Sequence, residues 1–140
     1  MKKKKSSKQT ILTVEDDATL LKVMGNALKD EGFEVIKAED GKEGLEKALK
    51  HHPDLILLDI IMPVMDGMTM LKKLRKDDWG KSVYVMILTN AEPSSDLISE
   101  ASRAPYVSSY YMKSEYGVRD IIKMAKEKLK KPTIKTQIKK

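Results

Sequence analysis

Five short apolar runs alternate with five longer segments of helical spacing along this chain of 140 residues. The runs are Ile11–Val14, Phe33–Lys37, Leu55–Leu58, Val83–Leu88 and Val107–Met112. Such alternation predicts a parallel sheet with helices on both faces, because parallel neighbours need a crossover long enough to hold a helix. Right-handed crossovers then leave few topologies. The first helical segment carries Leu20, Leu21, Met24, Ala27 and Leu28 on one face, with Gly32 as its stop signal. The second spans Lys42–His51, with Leu45, Ala48 and Leu49 inward. The third runs from Asp66 or Gly67 to Lys76, with Met70, Leu71 and Leu74 inward. The fourth starts near Glu92-Pro93, since proline suits a first helical turn. The fifth covers Glu115–Lys130, and Val118, Ile121, Ile122, Ala125 and Leu129 face the sheet.

The first, third and fourth runs are nearly all apolar, as strands covered on both faces should be. The second and fifth are mixed, which suits sheet edges. The length fits one domain, with no internal repeat. Net charge is +6, but nine of the 27 basic residues lie in residues 2–8 and 131–140. The 18 that remain face 21 acids, so the middle of the chain is near −3. The expected organisation is a basic, disordered tail over 1–8, a folded domain over 9–131 and a basic tail over 132–140. No aromatic residues interleave with the terminal lysines, so solvated tails are expected rather than a nucleic-acid site. Cysteine is absent, which removes disulfides and thiolate metal sites and suits the cytoplasm. No apolar run approaches the roughly 18 residues of a membrane span.

Chemistry concentrates where the strands end. The first ends in Glu15-Asp16-Asp17, the third in Asp59, the fourth in Thr89 and the fifth near Lys113. In a doubly wound sheet the carboxyl ends of the strands form one crevice. Carboxylates about 4 Å apart repel by about 4 kcal/mol at an effective dielectric near 20. A bound cation or a retained proton relieves that repulsion. An oxygen-only site without His or Cys suits Mg²⁺, which takes one or two carboxylates and shares phosphate oxygens. A carboxylate, an ammonium and a hydroxyl around such a site suit phosphoryl transfer, with Asp59 as nucleophile. Each residue alone has a plainer reading: Asp59 as a helix cap, the acidic triplet as a helix start favoured by the dipole, and Lys113 as one solvated lysine of many. Their joint placement favours the site.

The segment Asp59-x-x-Met62-Pro63-x-Met65-Asp66-Gly67, together with Ile11-Leu12-Thr13-Val14-Glu15-Asp16-Asp17, resembles the response regulator receiver domains of two-component signalling. The resemblance covers about Gln9 to Lys130. It implies a five-stranded CheY-like sheet of order 2-1-3-4-5. It makes Asp59 the phosphoacceptor. Glu15, Asp16, Asp59 and the backbone carbonyl of Ile61 become Mg²⁺ ligands, with Asp17 the helix cap. Thr89 becomes the switch hydroxyl, Lys113 the phosphoryl-binding lysine and Tyr110 the switch aromatic. The implied partners are a sensor histidine kinase or histidine phosphotransfer protein, and an output protein on the face formed by the fourth helical segment, fifth strand and fifth helical segment. A homodimer is a further implication.

Some positions depart from the family pattern. Ser114 follows Lys113 where the family usually has a proline after a cis peptide. A non-proline cis bond costs about 2.5–4 kcal/mol, and a trans loop would place Lys113 differently. Asn90 stands where a small residue is usual, and could crowd or hydrogen-bond a phosphoryl group. Ser99–Ser109 carries Ala104-Pro105-Tyr106 instead of the usual signal. His51-His52 before Pro53 reads as a helix end, Trp79 as a cover over the core edge, and Tyr106, Tyr110 and Tyr111 as edge-strand packing. The other functions the residues allow are a degenerate receiver used as a binding module, a Mg²⁺-dependent phosphohydrolase and a nucleic-acid binder working through its tails. Ile61 stands where a hydrolase of this kind would need a second Asp.

Overall fold

The five strands hydrogen-bond in the order β2-β1-β3-β4-β5, all in parallel. They are β1 (Thr10–Val14), β2 (Glu34–Ala38), β3 (Leu55–Leu58), β4 (Tyr84–Thr89) and β5 (Ser109–Met112). The helices are α1 (Ala18–Asp30), α2 (Gly41–His51), α3 (Gly67–Leu74) and α4 (Val118–Leu129). This computed structural model describes residues 8–90 and 109–130. The fourth helical segment near Glu92-Pro93, Tyr106 and most of both tails lie outside the described residues. The helix labelled α4 is therefore the fifth helical segment of the sequence.

Alternation along the strands separates two cores. Leu12, Val14, Ile56, Leu58, Val85 and Ile87 face α2 and α3. Ile11, Leu55, Leu57, Met86 and Leu88 face α1 and α4. The period-2 geometry of a strand puts neighbours on opposite faces, so a central strand covered on both sides must be apolar throughout. Leu55, Ile56, Leu57 and Leu58 are all buried. The edge strand β2 has one fully buried residue, Ala38. This matches the expectation that the mixed runs lie at the sheet edges. Among the described residues, no helix is long and apolar enough to cross a membrane.

Several boundaries differ from the sequence reading. Strands β2 and β4 each begin one residue later than their apolar runs and end one residue later. The third helix stops at Leu74, where Arg75 caps it. The last helix starts at Val118, and Lys113–Glu115 forms a separate 3-10 turn. Helical propensity at Glu115 loses to Gly117, whose backbone N–H donates to the Asp120 carboxylate at 3.0 Å and restarts the chain as a helix.

The inward face of α2 also needs correcting. Leu49 was expected to point inward, but it is exposed. The buried positions are Gly41, Gly44 and Ala48, with Leu45 half-buried. Here close approach decides the face. A Cβ at Gly44 would lie 2.9 Å from Val14 Cγ2 and 3.0 Å from Met70 Sδ. The helix packs so tightly on β1 and α3 that glycine makes the contact and the leucine turns away. His52 closes α2 in the left-handed region with φ 49°, and its ring stacks on Trp79 at 4.3 Å. Trp79 packs against the edge of the α2/α3 core.

Candidate functional site

The carboxyl ends of β1, β3, β4 and β5 deliver the polar groups. Val14 ends β1, and Glu15 follows with its backbone N–H bonded to the Ala38 carbonyl at 3.0 Å. That bond extends the ladder past the strand and keeps Glu15 buried, at 6% exposure. Asp16 is exposed. Asp17 caps α1, accepting from the Leu20 backbone N–H at 3.1 Å. This is the capping role expected for Asp17, and its carboxylate is turned to the helix. Asp59 follows β3 directly, with 8% exposure, and its N–H bonds the Val14 carbonyl at 3.1 Å.

Oxygen atoms of Glu15, Asp16 and Asp59 lie within 4.8 Å of one another. Lys113 Nζ contacts Glu15 Oε1 and sits 3.3 Å from Asp59 Oδ2. The Ile60 backbone N–H donates to Asp59 Oδ1 at 2.8 Å. Thr89 is buried at the end of β4 and favours the charged form of the Asp59 carboxylate. One ammonium thus bridges two buried carboxylates, while the third carboxylate stands in solvent.

Electrostatics follow from this burial. Loss of water pushes the Asp59 carboxyl above its ordinary value, although Lys113, the Ile60 N–H and Thr89 all oppose the shift. Burial raises Glu15 as well, and the Asp59 charge adds to it against the pull of Lys113 and the Asp17 N–H. For Lys113, burial acts against the ammonium, but Glu15 and Asp59 together outweigh it and hold its pKa up. One cation is too little for two desolvated carboxylates and a neighbouring third. A hard divalent cation would supply the missing charge, and all-oxygen donors of this kind suit Mg²⁺.

No peptide among the described residues is cis, so Lys113–Ser114 is trans. Lys113 still reaches both carboxylates. The trans loop is accommodated by the 3-10 turn Lys113–Glu115, which opens just past the strand. Asn90 is exposed beside Thr89 and lines the same crevice. Tyr110 is half-buried against the α2/α3 core, and its hydroxyl donates to Met112 Sδ at 3.6 Å. Burial raises its pKa.

The loop after Asp59 is shaped by three residues. Ile61 is 55% exposed at the rim. Val64 has φ 67°, and the Met65 N–H donates across it to the Pro63 carbonyl at 2.6 Å, closing a three-residue turn. Gly67 then donates to the Ile60 carbonyl at 2.7 Å as α3 begins, capped by Asp66. Pro63 and Gly67 are residue types that favour turns, whereas Val64 is not. A β-branched residue in the left-handed region costs about 1–2 kcal/mol, and Val64 is 76% exposed, so packing returns little. Val64→Asn is therefore expected to raise stability by about 1 kcal/mol, seen as a higher urea midpoint at unchanged m. An unchanged midpoint would mean that the turn is not strained.

Comparisons with known proteins agree with this fold. The family model for the response regulator receiver domain matches residues 11–126. A probable transcriptional regulator, ycf29 of Porphyra purpurea, is 32% identical over 127 residues, which is 91% of this chain and 59% of that protein. The transcriptional regulatory protein PrrA of Mycobacterium tuberculosis is 35% identical over 111 residues, covering 78% of this chain and 47% of PrrA. The chain thus spans about half the length of the curated relatives it matches. Among solved structures, a CheY-like receiver domain protein from Methanospirillum hungatei superposes with TM-score 0.78 at 32% identity, covering 88% of this chain and 94% of that one. TrrA from Thermotoga maritima, solved with Mg²⁺–BeF, gives TM-score 0.71 at 30% identity and covers 86% of this chain and 99% of TrrA. A doubly wound sheet of this order, acidic strand ends and a family match across most of the sequence lead to one conclusion: the chain belongs to the response regulator receiver domain family.

Proposed function

We propose that Asp59 accepts a phosphoryl group from a phosphohistidine on a sensor histidine kinase or histidine phosphotransfer protein. The observation that carries this is the buried Asp59 carboxylate, paired with Lys113 and grouped with Glu15 and Asp16. An Asp59 oxygen attacks phosphorus, the P–N bond of the donor breaks, and the imidazole leaves. Glu15, Asp16, Asp59 and the Ile61 carbonyl would hold Mg²⁺, which when bound neutralises charge on the phosphoryl oxygens. TrrA, with its Mg²⁺–BeF, supports that choice of ion. Lys113 is released from Glu15 and pairs with a phosphoryl oxygen. Thr89 donates its hydroxyl to another, and Tyr110 turns inward behind it. The acyl phosphate on Asp59 is later hydrolysed, so the domain assists its own phosphorylation and dephosphorylation rather than turning over an external substrate.

The output partner is a protein docking on the face of the fourth helical segment, β5 and α4, or a second copy of the chain. The site is cytoplasmic, where histidine kinases present their phosphohistidine. The apolar Ile61 two residues after Asp59 argues against a phosphohydrolase, which would need a general acid there. The trans Lys113–Ser114 loop still delivers Lys113, which argues against a degenerate module.

The test is intact mass after incubation with acetyl phosphate, with Mg²⁺ or with EDTA. One phosphoryl group is expected with Mg²⁺ and none with EDTA. Mg²⁺ binding without uptake from acetyl phosphate or from a phosphorylated kinase would leave only a binding module.

A further inference from the structure

Lys113 stands on a short turn that has few restraints of its own. The ladder between β4 and β5 ends at the Thr89–Met112 pair, one residue before it. The 3-10 turn Lys113–Glu115 follows; no side chain caps its start, and Ser114 and Glu115 are exposed. A single 3-10 turn has poor hydrogen-bond geometry. Its closing backbone bond, from the Tyr116 N–H to the Lys113 carbonyl, is long at 3.3 Å. A proline after the lysine would fix φ there. Serine behind a trans peptide leaves both backbone dihedrals soft. Lys113 Nζ nonetheless reaches Glu15 beyond β1 and Asp59 beyond β3.

Two aromatic rings bracket that turn. Tyr111, just before it, lies on β5, pairs with Leu88 across the ladder and packs against the α1/α4 core. Tyr116, just after it, meets the Tyr111 ring edge to face, with centroids 5.4 Å apart and planes at 80°. That is the favoured T-shaped arrangement, whose centroids lie about 4.5–7 Å apart. Strand and core anchor Tyr111, so the contact ties the far end of the turn back to the sheet. Residues 111–116 thus form a loop closed by two rings, with Lys113 inside it. Tyr116 is 36% exposed, so its ring adds little to the core. It lines the same crevice as Lys113, Glu15 and Asp59.

We propose that Tyr116 is a positioning residue for Lys113: its ring, docked on Tyr111, holds the trans Lys113–Ser114 turn so that the ammonium stays between Glu15 and Asp59. The ring pair does by packing what a proline after the lysine would do by fixing φ. Without it the turn is free to swing. The lysine stem is flexible and its ammonium strongly hydrated, so a loosened Lys113 exchanges the crevice for water. The placing of Lys113 stands whether or not Asp59 accepts a phosphoryl group. The effect of Tyr116 on phosphoryl uptake rests on that reading.

The test is a double-mutant cycle of melting temperatures on the full chain in EDTA, with Tyr116→Ala and Lys113→Met. Lys113→Met strips the ammonium from two buried carboxylates and should lower the melting temperature at neutral pH. In the Tyr116→Ala background, where the ammonium is already loose, that fall should shrink by about half or more. A tyrosine that only packs on the loop would give additive falls. Tyr116→Phe keeps the ring and should behave as the parent does. With acetyl phosphate and Mg²⁺, Tyr116→Ala should take up the phosphoryl group about 3- to 10-fold more slowly than the parent, and Tyr116→Phe at the parent's rate. Adding Tyr116→Ala to Lys113→Met should slow uptake no further. Additive falls, failure of Tyr116→Phe to match the parent, or undiminished uptake by Tyr116→Ala would each overturn the assignment. A parent that takes up no phosphoryl group would count against the phosphoacceptor reading alone, and the melting cycle would still decide the role of Tyr116.

Discussion

Asp59→Asn is expected to take up no phosphoryl group from acetyl phosphate and Mg²⁺, and to unfold at a higher temperature than the parent protein. The first effect follows from chemistry. An amide oxygen is a poor nucleophile, and loss of the attacking group lowers such rates by about 10³-fold or more. The second follows from burial. Glu15 and Asp59 are both desolvated and share Lys113, and both carboxyls are raised above their ordinary values. Asparagine removes one charge and leaves Lys113 with Glu15. The gain is on the order of 1 kcal/mol, well below the bare repulsion because Lys113 already offsets much of it.

The sign of the pH dependence follows from the same shifts. A carboxyl whose pKa is higher in the folded state holds its proton more tightly when folded. Its contribution to stability is complete below the ordinary carboxylate range and is lost as pH rises through the raised folded values. The metal-free protein should therefore lose stability across that window, and Asp59→Asn should lose less. Melting curves in EDTA from acid to neutral pH would show this. A variant less stable than the parent at neutral pH would mean that the Lys113–Asp59 attraction exceeds the cost of burial. Mg²⁺ should raise the parent's melting temperature and change that of the variant much less.

Gly67→Ala is expected to destabilise the fold by about 3 kcal/mol, lowering the melting temperature by about 10 °C. A Cβ at Gly67 would lie 2.9 Å from Ile60 Cα and 3.0 Å from the Asp59 carbonyl carbon. Both are backbone atoms. They cannot yield alone, because Asp59 N–H is tied to Val14 and Gly67 N–H to Ile60. Relief requires moving the strand end that carries Asp59. The surviving folded fraction should therefore also phosphorylate more slowly. Gly32→Ala makes the contrast. Its φ of 97° disfavours alanine, but nothing lies within 4 Å of the added Cβ. Its cost should be about 1 kcal/mol, with phosphoryl uptake unchanged. Equal losses at the two glycines would show that backbone conformation, and not the approach of α3 to Asp59, dictates Gly67.

The sequence reading failed where several elements meet. Leu49 follows the helical spacing of Leu45 and Ala48, yet Gly41 and Gly44 take the inward face because α2 lies so near β1 and α3. Periodicity reports which side is more apolar, and it cannot report how closely a neighbour approaches. Glu115 continues a helical pattern, yet the chain makes a separate turn there.

The parallel sheet, its apolar centre and mixed edges, and the acidic residues at the ends of β1 and β3 were all determined by the sequence. Each is fixed by local spacing, because a strand covered on both faces must be apolar throughout and a crossover helix returns the chain to the same edge. Tertiary structure alone decided which charges meet. Lys113 is 98 residues from Glu15 and 54 from Asp59, and it reaches both. Only the stacking of β1, β3 and β5 onto one sheet brings these groups within ion-pair distance, and only that burial raises both carboxyls.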